Sequence, residues 1–205
     1  MSKKNIALLT IILAILVDQI VKIYVKTHFF LGEEVKVFDW FKIYFVENNG
    51  MAMGFEFGGK GGKLFLTLFR LVAVGGIIYW LVNSIKKNLP TIVVISIALI
   101  LSGAFGNIID SVFYGILFNT PYGEEVATLF SDTPYGELFY GKVVDMFYFP
   151  IWEGFLPEWI PFVGGDSFTF FQYIFNPADS YITIGVVLLF LFSKKAFPKE
   201  EKPTE

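Results

Sequence analysis

The chain has 205 residues, of which 55% are hydrophobic and 17% are charged, and its mean hydropathy is +0.60. Soluble domains carry about 25% charged residues, so this composition excludes an ordinary water-soluble globule and indicates a chain that lies mostly in lipid. The net charge of −3 argues against a nucleic-acid partner, the absence of Cys excludes disulfides and thiolate chemistry, and the single histidine, His28, excludes a multi-histidine metal site.

Four apolar segments are long enough to cross roughly 30 Å of hydrocarbon as helices. They cover about 6–25, 64–85, 91–109 and 175–192. The first is interrupted by polar residues and is not closed by a small-residue cleavage pattern, so we interpret it as an uncleaved span. The predicted fold class is a mainly α membrane protein, a single integral membrane domain over 1–205, with four transmembrane helices and a small extracytoplasmic β-sheet.

The distribution of lysines predicts the orientation of the spans. Lys3 and Lys4 precede the first span, and Lys86 and Lys87 lie in the turn between the second and third. Further lysines follow the fourth span, namely Lys194, Lys195, Lys199 and Lys202. With four spans these places share one side, so both termini are predicted to be cytoplasmic. The connections at about 26–63 and 110–174 are predicted to lie outside, although they also hold some lysines.

Two of the outer segments have the composition of strands. Residues 35–45 and 143–149 are rich in β-branched and aromatic residues, and we expect them to pair on the outer face of the membrane. The glycine-rich stretch 58–62 is predicted to be a flexible approach to the second span. The sequence TPYGE at 120–124 recurs at 133–137, and we interpret it as a duplicated surface turn in an acidic insertion at 117–141.

Ionisable and amide side chains gather at one depth. Asp18 lies about six residues before the outer end of the first span and Arg70 about six residues after the start of the second, roughly 9 Å deep in each case. The outer ends of the third and fourth spans and the strand between them add Asn107, Asp110, Asn176, Asp179 and Asp145. Charged groups inside a bilayer are costly and usually functional. We therefore predict a site in one layer near the outer interface.

Some of these residues also have a structural interpretation. Asp18 and Lys22 are one helical turn apart, so they form either a structural ion pair or part of the site. For Arg70 we favour the role of a partner for a buried carboxylate. Gly103 and its small neighbours permit close helix packing without any catalytic role.

Asp145 and Asp179 are the strongest candidates for chemistry. Each lies where an outer segment meets the membrane, flanked by apolar or aromatic residues. Burial raises the pKa of a carboxyl group, and proximity of two such groups leaves one protonated and one ionised. Such a pair can activate water and protonate a leaving amine, as in aspartic proteases. Asn107 and Asp110, spaced i, i+3 on one helix face, are expected to supply supporting hydrogen bonds.

Five short motifs follow one another along the chain: DQIVK at 18–22, NNGMAMG at 48–54, GAFGNIID at 103–110, VVDMF at 143–147 and FNPADS at 175–180. In this order they resemble the motifs of the lipoprotein signal peptidases, the membrane aspartyl peptidases also called type II signal peptidases. These motifs are similar to the family's Asp-Gln-x-x-Lys, Asn-x-Gly-x-Ala-Phe, Gly-Ala-x-Gly-Asn-x-x-Asp, Val-x-Asp-Phe and Phe-Asn-x-Ala-Asp-Ser. Together they span most of the chain.

The resemblance implies a reaction and a set of roles. Asp145 and Asp179 match the family's catalytic aspartates. Positions that shape or support the site are matched by Asp18, Lys22, Asn48, Gly103, Asn107, Asp110 and Asn176. The implied reaction is hydrolysis of the peptide bond just before a diacylglyceryl-modified cysteine in a prolipoprotein, at the outer face of the bacterial cytoplasmic (inner) membrane. No metal or organic cofactor is implied, and the expected partners are prolipoproteins, membrane lipids and inhibitors of the globomycin type.

The chain departs from the family pattern at three places. Ser111 stands where the family usually has an arginine after the third-span Asp, and we hypothesise that Arg70 supplies the missing cation. Met53 and Met146 stand where the family has Phe. The connection between Asp110 and Asp145 is longer than expected, because of the acidic insertion.

Two other classes of function fit parts of the sequence. A small proton-coupled transporter or channel would also use intramembrane acids, but it favours midplane charges and repeated halves, which the sequence does not show. A non-catalytic lipoprotein-binding scaffold would tolerate the loss of either aspartate. A serine peptidase is disfavoured because His28 has no Ser motif beside it.

Overall fold

The computed structural model describes residues 1–50 and 59–196. Four apolar helices make up most of its helical part: α1 (Lys3–His28), α2 (Gly59–Lys86), α3 (Thr91–Ile109) and α5 (Pro177–Leu191). A π-helical turn (Asp110–Tyr114) and the short α4 (Gly115–Leu117) extend α3, and α6 (Ser193–Ala196) follows α5. The predicted mainly α architecture is therefore confirmed.

Three helices of the described residues are long and apolar enough to cross a membrane: α1, α2 and the continuous helical stretch Thr91–Leu117. The fourth predicted span is shorter than expected, because α5 has 15 residues, about 22 Å of helix. Residues 174–175 form a strand instead, and Asn176 caps the helix with Pro177 directly after it. Pro is favoured in the first turn of a helix, so the sequence itself sets this later start.

The outer segments form two antiparallel sheets. Strands β1 (Glu34–Phe38), β2 (Phe41–Asn48), β3 (Val143–Tyr148) and β6 (Ile174–Phe175) make a four-stranded sheet in the order β1-β2-β3-β6. Strands β4 (Trp152–Phe155) and β5 (Ser167–Phe170) make a separate hairpin. The predicted pairing of 35–45 with 143–149 is confirmed, with a hairpin turn inside the first segment that the sequence interpretation did not place.

Two expectations about the outer segments were wrong or incomplete. The stretch predicted to be a flexible loop at 58–62 begins α2 at Gly59, while position 58 lies outside the described residues. Glycine in a helix costs about 1 kcal/mol per residue, which a long apolar helix offsets by burial. The two TPYGE copies also differ, since Tyr122 is exposed whereas Tyr135 packs under Lys26.

Helix α3 lies at the centre of the helical part and packs against α1, α2 and α5. Its fully buried residues include Val94, Ile97 and Ala98. A second apolar cluster, which includes Phe45, Tyr114 and Val144, joins the sheet to the outer ends of α1 and α3. Because both clusters share α3, the outer sheet is fixed relative to the helices, and the polar residues between the clusters are held in place.

Gly103 allows α3 and α5 to touch. A Cβ atom at this position would overlap the carbonyl oxygen of Ala178 and lie 2.7 Å from Cγ1 of Ile182. We expect Gly103→Ala to lower the free energy of unfolding by about 1–3 kcal/mol, because the two backbones must separate. Thermal unfolding in detergent measures this effect.

Gly75→Ala is the matched control for Gly103→Ala. Nothing lies within 4 Å of a Cβ atom at Gly75, on the exposed face of α2. Helix propensity therefore predicts an unchanged stability or a gain of about 1 kcal/mol. Equal unfolding temperatures for Gly103→Ala and the wild type would contradict the packing argument.

Candidate active site

The polar residues predicted to share a layer do come together, at the ends of the helices that lie next to the four-stranded sheet. Helices α1 and α3, the strands β2 and β3, and the first turn of α5 each contribute to one connected hydrogen-bond network. Its members are Asp18, Gln19, Lys22, Asn48, Asn107, Asp110, Asp145, Asn176 and Asp179. Among the described residues, every buried side-chain nitrogen and oxygen atom has a hydrogen-bond partner.

Asp145 lies on β3 and is almost completely buried, with 3% of its surface exposed. Its Oδ1 atom accepts a hydrogen bond from Nδ2 of Asn176 at 2.6 Å, and its Oδ2 atom accepts one from Nδ2 of Asn48. The β2–β3 register, in which Asn48 is opposite Val143, brings Asn48 within reach. Two amide donors therefore fix both oxygens of this carboxyl group.

Asp179 lies in the first turn of α5 and belongs to a capping box. The side chain of Asn176 accepts a hydrogen bond from the backbone N–H of Asp179 at 3.0 Å, and Oδ2 of Asp179 accepts one from the backbone N–H of Asn176 at 3.3 Å. Its Oδ1 atom accepts a hydrogen bond from Nδ2 of Asn107 at 2.9 Å. The helix N-terminus also favours a negative charge here.

Asn176 connects the two acids. Its side-chain amide donates to Asp145 and, at 3.1 Å, to Oδ1 of Asn107, while its backbone N–H donates to Asp179. The residue is fully buried and caps a helix, so its position is set by the fold. The sequence interpretation gave Asn176 a supporting place, and the structure brings it into contact with both aspartates.

Burial, together with the charge of Asp179, raises the pKa of Asp145 to about 7. Hydrogen bonds from Asn176 and Asn48 and the charge of Lys22 act against this increase because they favour the ionised form. At neutral pH the Asp145 carboxyl group is therefore poised between its two protonation states. A general acid or base is most effective when its pKa lies near the working pH.

Lys22 is a buried cation close to Asp145 and Asp179. Its ammonium group lies 3.0 Å from Oδ2 of Asp18 and 2.8 Å from Oδ2 of Asp110, and it donates to Oδ1 of Asn107 at 2.8 Å. The side chains of Lys22, Asp18 and Asp110 are completely buried. The three partners match the three N–H donors of an ammonium group. The Asp18–Lys22 ion pair is thus connected through Asn107 to Asp179.

Three residues of this network were missed by the sequence interpretation as site residues. Gln19 donates to Asp18 and Asp110 at 3.0 Å each, and Tyr114 donates to Gln19 at 3.1 Å. Gly106 passes so close to Asp18 that a Cβ atom would lie 2.5 Å from the carboxylate. Gln19 could have been predicted from the sequence, because it is a polar amide side chain within an apolar helix.

The structure places the Arg70 guanidinium beside Gly50. Asp110 is paired with Lys22, whereas the Arg70 guanidinium donates to the backbone oxygen of Gly50 and interacts electrostatically with Asp179 and Asp145. Gly50 has a φ of +86°, and a Cβ atom there would lie 2.6 Å from Nη1 of Arg70. The left-handed backbone at this position favours glycine, and a side chain there would displace the guanidinium. The role of Arg70 as a substitute for an arginine at Ser111 stays a hypothesis. Gly50 belongs to the NNGMAMG motif at 48–54, whose remaining residues, 51–54, lie outside the described residues.

Comparison with known proteins identifies the family. The profile of the family described as Signal peptidase (SPase) II matches residues 10–195. The chain is 51% identical over 181 residues to a lipoprotein signal peptidase of Porphyromonas gingivalis, covering 87% of this chain and 78% of the relative. It is 38% identical over 185 residues to a lipoprotein signal peptidase of Amoebophilus asiaticus, covering 88% of this chain and 74% of the relative.

A solved structure has the same fold. It is a bacterial membrane enzyme studied by the in meso method at 2.3 Å, with a TM-score of 0.57 and 24% identity over 98% of this chain and 95% of the other. The family resemblance predicted from the five motifs is therefore confirmed by the match over most of the chain. The chain belongs to the signal peptidase II family of aspartic-type membrane peptidases.

Proposed function

We propose that this peptidase removes signal peptides from prolipoproteins by cutting the bond just before a diacylglyceryl-modified cysteine. The observation that carries the proposal is the pair Asp145 and Asp179, both held by Asn176 at the outer ends of apolar helices. A lipid-anchored substrate presents its cleavage bond near the membrane interface, at the depth of this pair. The named relatives, which are lipoprotein signal peptidases, support the same substrate class.

The two carboxyl groups divide the chemistry between them. Asp145, whose pKa is raised to about 7, holds the shared proton at the start, and Asp179 is the ionised partner. Asp179 takes a proton from a water molecule as the water oxygen bonds to the scissile carbonyl carbon, and Asp145 donates its proton to the carbonyl oxygen. As the carbon–nitrogen bond breaks, Asp179 passes its proton to the leaving amine and Asp145 regains its own. No metal or organic cofactor takes part in this scheme.

The other residues orient this pair. Asn48, Asn107 and Asn176 donate hydrogen bonds to the carboxylate oxygens of the pair. The buried ion pairs of Lys22 with Asp18 and Asp110 support these residues from below. The charge of Arg70 stabilises the ionised form of the pair. Gly103 supports the site by allowing α5, which carries Asp179, to approach α3.

The proposed setting is the bacterial inner membrane, with both termini cytoplasmic and the pair near the outer face. The transporter and scaffold alternatives are less consistent with membership of a peptidase family. Cyclic peptides of the globomycin type are expected to inhibit cleavage, and membrane lipids are expected to surround the acyl chains of the substrate.

The purified protein in detergent tests this function with a diacylglyceryl-modified prolipoprotein. Mass spectrometry of the products is expected to show a signal peptide that ends directly before the modified cysteine. The matched substrate carries Ser in place of that cysteine and therefore has no lipid. Cleavage of both substrates at the same rate, or cleavage at another bond, would contradict the proposed specificity.

A further inference from the structure

A cavity of about 440 Å³ lies between the start of α2, the second TPYGE copy and the start of β3. Its lining includes the cations Lys60, Lys63 and Lys142 together with Asn49, Tyr135 and Glu137. None of these residues takes part in the proposed proton transfers. The cavity thus adds a second, more exposed polar surface beside the candidate active site.

Among the described residues, the lining of the cavity holds three lysines and one carboxylate. That carboxylate, Glu137, lies 3.6 Å from Lys60, and both side chains are more than two-thirds exposed. Lys142 lies 3.4 Å from Glu47, a carboxylate that also pairs with the buried Lys26. An exposed ion pair such as Lys60–Glu137 contributes little, so Lys60 keeps most of its attraction for an incoming anion. Glu47 is shared between Lys142 and Lys26, so one carboxylate faces two ammonium groups there.

Aromatic rings and an amide position these lysines. The ammonium of Lys60 lies 5.7 Å from the centre of the Tyr140 ring, and that of Lys142 lies 5.8 Å from the Tyr135 ring. Lys63 donates to Oδ1 of Asn49 at 3.0 Å. The cation–π contacts restrict the ammonium groups of Lys60 and Lys142 without using their N–H donors.

Two lining residues of the cavity are close in sequence to residues of the active site. Lys142 lies directly before β3, the strand of Asp145, and Asn49 follows Asn48. Lys63 lies about 10 Å further out along α2 than Arg70, at ~1.5 Å per residue. An extended polypeptide covers this distance in about three residues at ~3.3 Å each.

We infer that the cavity binds acidic side chains of the substrate, at about the third to fifth residues after the cleaved bond. This inference rests on the proposed function, because the segment after the modified cysteine must leave the pair toward the outside while the signal helix stays in lipid. Carboxylates are the matching ligand, since ammonium groups bind them by charge-assisted hydrogen bonds. The second TPYGE copy, which supplies Tyr135 and Glu137, thereby gains a role in specificity.

The test compares lipid-modified substrates that differ only in the third to fifth residues after the cut. One carries three acidic residues there, one carries their amides, and one carries the acidic residues at positions ten to twelve. The full chain is assayed in phosphatidylcholine nanodiscs. At low ionic strength we expect kcat/KM for the first substrate to exceed that for the other two by about tenfold, and this ratio to fall toward one in high salt.

Variants assign the preference to the cavity. The double variant Lys60→Gln/Lys142→Gln is expected to reduce the ratio below about twofold. Lys36→Gln, which removes an exposed lysine of β1, is the matched control and is expected to keep the ratio.

A ratio near one in the wild type, or a ratio that survives in the double variant, would overturn the inference. It would also be overturned if the effect of the double variant appeared only after phosphatidylglycerol is added, because the lysines would then bind lipid phosphate. Cleavage of none of the substrates would instead overturn the proposed function, and the inference with it.

Discussion

Changing either Asp145 or Asp179 to Asn is expected to lower the rate of prolipoprotein cleavage by about 10³-fold or more. An amide cannot take up the proton of the attacking water or donate one to the carbonyl oxygen. The shape of the side chain is preserved, so the loss reports on proton transfer. The measurement is the initial rate of signal-peptide release by each purified variant, followed on a gel.

The double variant Asp145→Asn/Asp179→Asn separates a pair that works as a unit from two independent residues. For a unit, the double variant is expected to be no slower than either single variant, since one loss already disables the reaction. Asp39→Asn is the matched control, because Asp39 is a highly exposed acid of the outer hairpin. A folded single variant that keeps more than about a tenth of the wild-type rate would contradict the assignment.

Lys22→Met is expected to produce the largest loss of stability, about 3–5 kcal/mol in the free energy of unfolding. Lys22 is completely buried between Asp18 and Asp110, so its removal leaves two carboxylates without their cation. Met keeps most of the volume of the side chain, which separates the effect of charge from that of packing. Thermal unfolding in detergent, followed by tryptophan fluorescence, measures the change.

Two further variants define the cause of this loss. Lys22→Met combined with Asp18→Asn and Asp110→Asn removes all three charges and is expected to recover much of the stability, because no unpaired buried ion remains. Lys36→Met breaks an exposed ion pair with Asp39 and is expected to change the free energy by less than about 1 kcal/mol. A Lys22→Met protein as stable as the Lys36→Met protein would contradict the account.

The depth of the polar residues was the part of the site that the sequence predicted best. Helical rise places Asp18 and Asp110 in one layer near the same side of the helices, and the structure joins them through Lys22. The pairing of β2 with β3 was also predictable, since alternating β-branched and aromatic residues are typical of strands. The rise of a helix and the alternation of a strand can each be predicted from the sequence of one element.

The contacts that complete the site depend on packing between distant elements. Arg70 was expected to act as the cation beside Asp110, but its guanidinium contacts Gly50, and Lys22 is the cation that pairs with Asp110. The second TPYGE copy becomes structural because Tyr135 stacks under Lys26 and accepts a hydrogen bond from the backbone of Lys142. Neither arrangement follows from periodicity, because each needs the relative orientation of three elements.

The pH dependence of kcat/KM tests the one-proton pair most directly. A carboxyl group with a raised pKa keeps its proton below that pKa and loses it above, so activity is expected to fall as the pH rises through about 7. Asn48→Ala removes a hydrogen bond that favours ionised Asp145, which raises this pKa and moves the fall to higher pH. The predicted result is a descending limb near neutral pH that shifts upward in the variant. A rate that is constant from pH 5 to 9, or a limb that shifts downward, would contradict the account.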